Sequence, residues 1–391
     1  MTAIIRYRPN SQKIKGYFDK VLTRNILRDI CFRVTGQRSF IIERETDTYN
    51  RGRLIQIYYK DVKNYISLSE VNIEARNQSL QSVPTAINLF FADKTQNKKL
   101  YYYFLPHNGN AFTQYHVFIY KLLMTAGVQF LNIQDFTSST ILPYKNIDEI
   151  IEDRSRNQGI NAANNSSFIS KTDKAVQIYA KTYGASKYES TLFGIAISKI
   201  SDMPIELFNI CEKDLKELPH SSQRTLEALG NITMHNTSIT LERNEYLSQR
   251  DKSILRSPTY VYNLMNRIGN KKCALCGCEI PEIIQGAHIW GVAEISRHNE
   301  IDDYKKFEHA ICGHNGLWMC QNHHKLFDTD ILSISTKGQV YFNNNIDNKA
   351  FEFIKETTKT TVLPTQIMSD QFCFYLNQRN KTKDLSNMKA L

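Results

Sequence analysis

Hydrophobic residues in the first 150 positions fall in short runs typical of β-strands, and in one place they recur at helical spacing. The runs LIQIYY at 54–59 and KKLYYYFL at 98–105 predict strands, because β-branched and aromatic residues favour extended structure. A helix is predicted around 115–126. We therefore expect residues 1–156 to form a mixed α and β region.

The hydrophobic pattern stops in the stretch NQGINAANNSS at 157–167, which is rich in Asn, Ser and Gly. Such a stretch is typical of a linker or long loop and predicts a boundary near 155–168. Beyond it, GASKYESTLFGIAISKI at 184–200 predicts a helix with Ser186 as N-cap and Glu189 completing a capping box. We expect residues 168–256 to be mainly helical.

A further helix is predicted over 258–268, where all three boundary signals are present. Ser257 is the expected N-cap, Pro258 occupies the first helical position, and Gly269 follows the last one. Further along, the runs ILSIST and QVYF flank Lys337-Gly338 and predict a β-hairpin. The helix leads directly to Cys273, so its position matters for the chemistry that follows.

Positive charge is concentrated near the N-terminus. The chain of 391 residues has a net charge of +10, and residues 1–64 hold 14 Lys/Arg against 6 Asp/Glu, hence 14 − 6 = +8. Several of these basic residues alternate with the aromatic residues Tyr7, Tyr17, Phe18 and Phe32. They are Arg6, Arg8, Lys13, Lys15, Lys20, Arg24, Arg28, Arg33, Arg38, Arg51 and Arg53. The pattern fits contacts with phosphates, and it equally fits a solvated face beside an ordinary core.

No apolar run approaches the roughly 18 residues that a membrane span needs, and the N-terminus has no signal-peptide pattern. We therefore expect a cytoplasmic, bacterial protein. Five of the eight cysteines lie within 273–320. In a reducing compartment this clustering favours metal ligation over disulfides.

Two short turns carry the soft ligands. Cys273 and Cys276 form a C-x2-C turn, and Cys320 and His323 form a C-x2-H turn 43 residues later (277 to 319). Two half-sites of this kind predict a closed, tetrahedral and therefore structural Zn²⁺ site. Two cysteines remain, Cys278 and Cys312, and either could replace one of the chosen ligands.

Three motifs lie between and just beyond the half-sites: QGAHIWG with His288, GHNGLWMC with Asn315, and HHKLFD with His324 and Asp328. In these motifs the sequence resembles the HNH, or ββα-metal, endonuclease family, especially its branch with A-H-I, N-G-L and H-x2-F-D. The resemblance covers about 55 to 65 residues. It implies an α+β protein in which a mixed N-terminal region precedes a small zinc-stapled ββα-metal (HNH) nuclease domain.

The resemblance also implies a role for each motif residue. His288 would be the general base that deprotonates the attacking water, and Asn315 would tether the loop of His288 or assist the metal. His324 and Asp328, four residues apart, would share a helix face and bind a catalytic Mg²⁺ or Mn²⁺. Many family members carry a metal ligand just before the base, whereas this chain has Ala287.

The missing ligand leaves two alternatives open. Either Asp328 replaces it, or an acidic residue from the intervening loop does: Asp302, Asp303 or Glu308. The other histidines of this region, His298, His309 and His314, are expected to serve packing or phosphate contacts, and Trp290 and Trp318 are expected to be core residues. A separate nuclease centre at Gln177, Lys181 and Glu189 is less favoured, because the acidic-x-Lys spacing of such centres is absent.

The leading hypothesis is a type II restriction endonuclease that binds double-stranded DNA as a homodimer. Residues 1–156, with Arg6, Arg8, Lys13, Lys15, Arg24 and Arg28, would contact DNA, and residues 168–256 would serve recognition or dimerisation. Residues 257–345 would form the nuclease domain and 346–391 a C-terminal extension. The alternatives are a less specific defence or mobile-element nuclease, and a zinc-stabilised DNA-binding protein without catalysis.

Overall fold

The computed structural model describes twelve stretches of the chain. They are residues 2–7, 22–44, 54–69, 83–105, 113–137, 140–156, 167–181, 186–211, 218–248, 257–381, 383 and 387–391. The chain divides into two compact units. The first comprises 1–157, 183–205 and 218–233, and the second comprises 158–182, 206–217 and 234–391. The domain division expected from the sequence stays a prediction.

The first unit is built on a six-stranded mixed sheet. Its strands are β1 (Ala3–Tyr7), β2 (Phe40–Arg44), β3 (Leu54–Tyr59), β4 (Val62–Leu68), β5 (Lys98–Tyr103) and β6 (Gln129–Phe130). Their order is β2-β1-β3-β4-β5-β6. The β3–β4 connection is the two-residue turn Lys60-Asp61, and both residues have positive φ (49° and 62°), as a type I′ hairpin turn requires.

Six helices accompany this sheet in the described part of the first unit. They are α1 (Arg24–Thr35), α2 (Val83–Ala92), α3 (Gln114–Thr125), α4 (Ile147–Arg156), α5 (Ser186–Ile200) and α6 (His220–Glu227). Helix α1 begins at the N-cap Thr23 and ends at Gly36, whose φ of 73° terminates it. Ile30 of this helix packs with Ile5, Ile55 and Leu68 in one buried cluster.

Three smaller sheets lie wholly or mostly in the second unit. Strands β7 (Ser167–Lys171), β8 (Val176–Lys181), β9 (Ile205–Cys211) and β10 (Ile232–Ser238) form a sheet of order β10-β9-β8-β7. Strands β11 (Ile284–His288) and β12 (Gly316–Cys320) form an antiparallel pair. Strands β13 (Leu332–Ile334), β14 (Val340–Asn343) and β15 (Met388–Ala390) form the third sheet.

Seven α-helices of this unit are described. They are α7 (Ile239–Ser248), α8 (Pro258–Ile268), α9 (Val292–Arg297), α10 (Asp303–Ile311), α11 (Gln321–Asp328), α12 (Asn348–Thr357) and α13 (Asp370–Lys381). One core cluster joins Leu264 of α8, Trp318 of β12, Phe327 of α11 and Tyr375 of α13, all buried. Residues beyond 345 therefore contribute to the same core as the motif-bearing segment.

Most local predictions agree with these elements, but residues 168–256, predicted to be mainly helical, also contain nearly all of the sheet β7–β10. The predicted α+β class is confirmed, as are the strand at 54–59, the helix around 115–126 and the hairpin around Gly338; the strand predicted at 98–105 is present but ends at Tyr103. Helix α8 has the predicted bounds, and the Ser257 hydroxyl accepts the backbone N–H of Tyr260 at 2.9 Å. Residues 157–166 of the linker predicted at 157–167 lie outside the described residues, as does the capping side chain of Ser186, while Ser167 begins β7.

Candidate functional site

Three thiols and one imidazole meet where β12 passes into α11. The ligand atoms of Cys273, Cys276, Cys320 and His323 all lie within 4.8 Å of one another. Cys273 and Cys276 are held in a tight turn, which Gly277 closes with a φ of 71° and a backbone hydrogen bond to Cys273. The four residues are the predicted set and could hold a zinc ion; Cys278 and Cys312 are not in the cluster.

The orientation of His323 suits a metal ligand. Its Nδ1 lies 3.2 Å from the sulfur of Cys320 and 3.7 Å from that of Cys273, while its Nε2 lies 3.1 Å from the Thr358 hydroxyl oxygen, which can accept its proton when Nδ1 binds a metal. Metal-bound histidines commonly donate their second ring N–H in this way, which fixes the tautomer. Burial opposes ionisation of Cys273, but hydrogen bonds from His323 and nearby backbone amides lower the pKa of its thiol.

His288 is the last residue of β11, opposite Gly316 in the antiparallel register. Its Nε2 donates to the carbonyl oxygen of Ala310 at 2.9 Å, and its ring stacks on Tyr260 with centroids 4.1 Å apart and an interplanar angle of 15°. Burial lowers the pKa of His288 to about 4; the Ala310 carbonyl opposes this shift and His324 adds to it. The imidazole is therefore neutral near pH 7.

Asn315 is fully buried and binds the segment that follows His288. Its side-chain oxygen accepts the N–H of Trp290 at 2.8 Å, and its amide nitrogen donates to the carbonyl oxygens of Trp290 at 3.0 Å and His309 at 3.1 Å. Its backbone carbonyl also accepts the N–H of Ile289 at 3.0 Å. Of the two roles considered for Asn315, these contacts match the tether.

His324 and Asp328 lie one turn apart on α11, as their spacing predicts. Nε2 of His324 is 3.3 Å from Oδ2 of Asp328, and their side chains are 23% and 54% exposed, so the pair is open to solvent. On its other side, Nδ1 of His324 donates to Oε1 of Gln285 at 3.3 Å. The pair therefore combines one imidazole and one carboxylate, a donor set suited to a hard divalent cation.

The alternative acidic residues have different surroundings. Asp302 caps α10 by accepting the N–H of Lys305 at 2.9 Å, and Asp303 pairs with Lys306 at 3.3 Å. Glu308 is exposed on the same helix. Ala287 is fully buried beside His288 and offers no ligand atom.

The remaining histidines of this region make packing and hydrogen-bond contacts. His309 lies 3.0 Å from the hydroxyl of Tyr375, and His314 lies 2.8 Å from the hydroxyl of Ser369. His298 meets Trp290 edge to face. Both tryptophans are buried in the core, as expected for a small module.

The residues of the less favoured centre each have contacts of their own. Gln177 donates to Glu206 at 2.9 Å, and the ammonium of Lys181 lies 5.3 Å from the centroid of the Tyr262 ring. Glu189 is fully buried and accepts from the hydroxyl of Tyr115 at 3.2 Å.

Part of the basic N-terminal set lies in the described residues. Arg6 pairs with Glu43 at 2.6 Å, Arg24 lies over the ring of Phe40, and Arg28 donates to Asn25. The remaining members proposed for DNA contact, Arg8, Lys13 and Lys15, lie outside the described residues. Among the residues whose placement is described, no helix is both long and apolar enough to cross a membrane.

Sequence reasoning missed two residues that contact the motif side chains. Tyr260 precedes the motif segment and belongs to a helix predicted on local signals alone. Gln285 begins the QGAHIWG motif, but the family resemblance implies no role for it. The packing of α8 brings Tyr260 to His288, and the packing of α11 on β11 brings Gln285 to His324.

Comparison with known proteins agrees with this geometry. Residues 273–335 match the family model of HNH endonucleases. No curated protein matches the chain. The C-terminal part of the chain therefore carries an HNH endonuclease domain, which supports metal-dependent nuclease activity with DNA as the substrate.

Proposed function

We propose that the protein is a type II restriction endonuclease that hydrolyses both strands of a specific DNA duplex as a homodimer, with His288 as general base and a divalent metal at His324 and Asp328. The observation that carries the proposal is the geometry at the end of the β11–β12 hairpin. There, a neutral imidazole held by its Nε2 lies close enough to His324 for that residue to affect its pKa, and His324 forms a solvent-open pair with Asp328 on α11.

The contacts of His288 suit proton abstraction. Because Nε2 donates to the Ala310 carbonyl, the ring proton resides on Nε2 and Nδ1 is the nitrogen that can accept a proton from water. The structure gives Nδ1 no hydrogen-bond partner among the described residues. Its pKa, lowered to about 4, keeps the imidazole unprotonated throughout the neutral range and also makes it a weaker base than a histidine of ordinary pKa.

His324 and Asp328 would hold the catalytic metal. Gln285 accepts from Nδ1 of His324, which leaves Nε2, the nitrogen facing Asp328, as the ligand atom. When bound, Mg²⁺ or Mn²⁺ would stabilise charge on the scissile phosphate and on the departing oxygen. Asp302 and Asp303 are bound to their own helix, so Asp328 is the carboxylate we assign in place of the ligand absent at Ala287.

The zinc cluster would act as a structural support for this centre. Three cysteines and one histidine supply four ligands, which fill a tetrahedral shell and leave no position for substrate. His323 is followed immediately by His324, so zinc at the first residue would fix the start of the helix that carries the second. We assign zinc a folding role and no chemical step.

Restriction-type cleavage and dimerisation rest on the organisation of the chain. More than half of its length precedes the matched residues, and this part includes exposed basic side chains on α1, with Arg24 and Arg28 among them. A single HNH centre cuts one strand at a time, so a two-fold dimer would place one centre on each strand. We propose that the N-terminal unit recognises the duplex.

Plasmid cleavage tests the proposal. Purified protein with Mg²⁺ should give discrete fragments, and metal analysis should find about one Zn per chain. His288→Ala should lower the cleavage rate by at least about 100-fold while zinc content and DNA binding persist. The matched control is His235→Ala, which removes an exposed histidine stacked on Phe208 and should cleave normally.

Other results of the cleavage assay and the metal analysis would support different conclusions. A smear would indicate a less specific nuclease, and intact plasmid that is still retarded in a gel would indicate a DNA-binding protein without catalysis. Full activity of His288→Ala would remove His288 from the mechanism. Absence of zinc from a folded protein would contradict the role of the Cys/His cluster.

A further inference from the structure

Helix α8 lies outside the residues that match the HNH family, yet it contacts the proposed general base directly. Tyr260 of α8 is 2% exposed, and its ring stacks on the imidazole of His288 at 4.1 Å and 15°. The two rings are therefore nearly parallel and in contact over their faces. A side chain that only filled space could meet the imidazole at any angle.

Glycines on strands β11 and β12 make this close contact between Tyr260 and His288 possible. A Cβ at Gly316 would lie 2.2 Å from the hydroxyl oxygen of Tyr260, and a Cβ at Gly286 would lie 3.0 Å from its Cε1. Gly313, just before β12, is equally close to α8, because a Cβ there would lie 2.4 Å from the carbonyl oxygen of Asn263. Helix α8 and the β11–β12 pair thus approach each other more closely than side chains at these three glycine positions would allow.

Hydrogen bonds fix α8 against the loop that holds His288. The amide of Asn263 donates to the carbonyl oxygen of Ile311 at 2.9 Å, next to the Ala310 carbonyl that accepts from His288. Arg267 donates to the carbonyl oxygens of Gly313 at 3.1 Å and Gly316 at 2.9 Å. The Ala310 carbonyl therefore holds the imidazole at its edge, and the Tyr260 ring holds it on its face. Helix α8 carries Tyr260 and is hydrogen-bonded to the residue next to Ala310.

The aromatic ring of Tyr260, and not its hydroxyl, makes the relevant contact. Its hydroxyl oxygen is buried and has no hydrogen-bond partner among the described residues. Phenylalanine could therefore replace Tyr260 without losing a hydrogen bond, whereas an aliphatic residue would lose the parallel contact with the imidazole.

We propose that Tyr260 is a positioning residue for the cleavage reaction: its ring holds the His288 imidazole in the plane that presents Nδ1 to the attacking water. This inference rests on the proposed function, since it concerns the same base. Tyr260 does not touch DNA or metal in this proposal and acts only through His288. Misplacing a catalytic group by about 1 Å can cost roughly 100-fold in rate.

The test compares kcat and KM for plasmid cleavage among full-length variants. Tyr260→Phe should keep kcat within about two-fold, and Tyr260→Leu should lower kcat by about 10- to 100-fold while KM stays within about two-fold. The matched control is Tyr262→Leu, which removes a buried tyrosine of the same helix whose ring contacts Phe168 instead. Zinc content and thermal midpoint are measured for every variant, and all assays run below the lowest midpoint.

A second measurement is independent of activity. In histidine-labelled protein, stacking on an aromatic ring should shift the ring protons of His288 upfield. Tyr260→Phe should retain this shift and Tyr260→Leu should lose it, with the signal assigned through His288→Ala. Loss of the shift together with loss of kcat would connect ring position to rate.

The outcomes separate this inference from the function on which it rests. If the wild type cleaves and Tyr260→Leu has the same kcat as Tyr262→Leu, Tyr260 is ordinary core and only the inference is overturned. If Tyr260→Phe is as slow as Tyr260→Leu, the hydroxyl matters and the stacking argument is wrong. If the wild type cleaves no DNA with either Mg²⁺ or Mn²⁺, the proposed function fails, and the inference fails with it.

Discussion

Replacing Gly316 with alanine should destabilise the second unit through one steric contact. Gly316 has φ −155° and ψ 159°, an extended conformation that alanine adopts freely, so backbone strain does not contribute. The added Cβ would lie 2.2 Å from the Tyr260 hydroxyl oxygen, well inside the roughly 3.5 Å at which such atoms make favourable contact. Overpacking of this kind typically costs about 1–3 kcal/mol.

The free energy of unfolding can be measured for this unit specifically. The chain has two tryptophans, Trp290 and Trp318, and both are buried in the core of the second unit, so their fluorescence in a urea titration follows its unfolding. The matched control is Gly291→Ala, because the nearest atom to a Cβ there is a Glu294 side-chain oxygen at 3.9 Å. Gly291 is the N-cap of α9, where alanine is less favourable than glycine, so we expect the control to lose up to about 1 kcal/mol through the helix terminus and nothing through overpacking.

A second substitution identifies the contact. Removing the hydroxyl with Tyr260→Phe leaves Cζ as the nearest atom of that ring at 3.1 Å from the new Cβ, so the double variant should recover about 1–2 kcal/mol of the loss. If Gly316→Ala is as stable as the wild type, the close packing of α8 on the hairpin is wrong. If Tyr260→Phe restores nothing, the strain lies in some other contact.

Three further predictions concern the metals and one buried acid. Cys276→Ser should lower bound zinc below one per chain and destabilise the second unit, as metal analysis and tryptophan fluorescence would show; unchanged zinc would exclude Cys276 as a ligand. Gln285→Leu should raise the Mg²⁺ concentration for half-maximal cleavage about 10-fold, with little change in kcat at saturating metal. Burial raises the pKa of Glu242 in the folded protein, and hydrogen bonds from Thr259 oppose this shift. The protonated side chain therefore stabilises the fold fully below the unfolded pKa of about 4.3, and this stabilisation is lost as the pH rises through the folded pKa. Compared with the wild type, Glu242→Gln should have a higher free energy of unfolding at pH 7 than at pH 4; the same pH dependence in both proteins would contradict a raised pKa of Glu242.

The sequence predicts those parts of the protein whose determinants are local. Helix α8 has the expected bounds because Ser257, Pro258 and Gly269 act within one turn of its ends. The two zinc half-sites are equally local, since each places two ligands in a single turn. The spacing of His324 and Asp328 brings them together because the intervening segment is helical.

Contacts between distant segments could not be derived in this way. The stack of Tyr260 on His288 depends on how α8 approaches the hairpin, and no periodicity encodes that approach. Counting basic residues near the N-terminus likewise cannot show which of them are paired with acidic residues in the fold. Arg6 contributes to the basic excess, yet it pairs with Glu43 across β1 and β2, which are adjacent only in the folded sheet.

Gln285 gives one account of how the proposed centre can lack the usual ligand before the base. Strand β11 contacts both parts of the centre, because the His288 ring stacks on Tyr260 and the Gln285 side chain accepts from Nδ1 of His324 on α11. Ala287 is fully buried and supplies no donor, and Gln285 lies two residues earlier. A side chain that orients one ligand thus lies beside the position where another is missing. The proposed metal shell then depends on α11 for its protein ligands and on β11 for their alignment, which is why Gln285→Leu should affect metal affinity more than kcat.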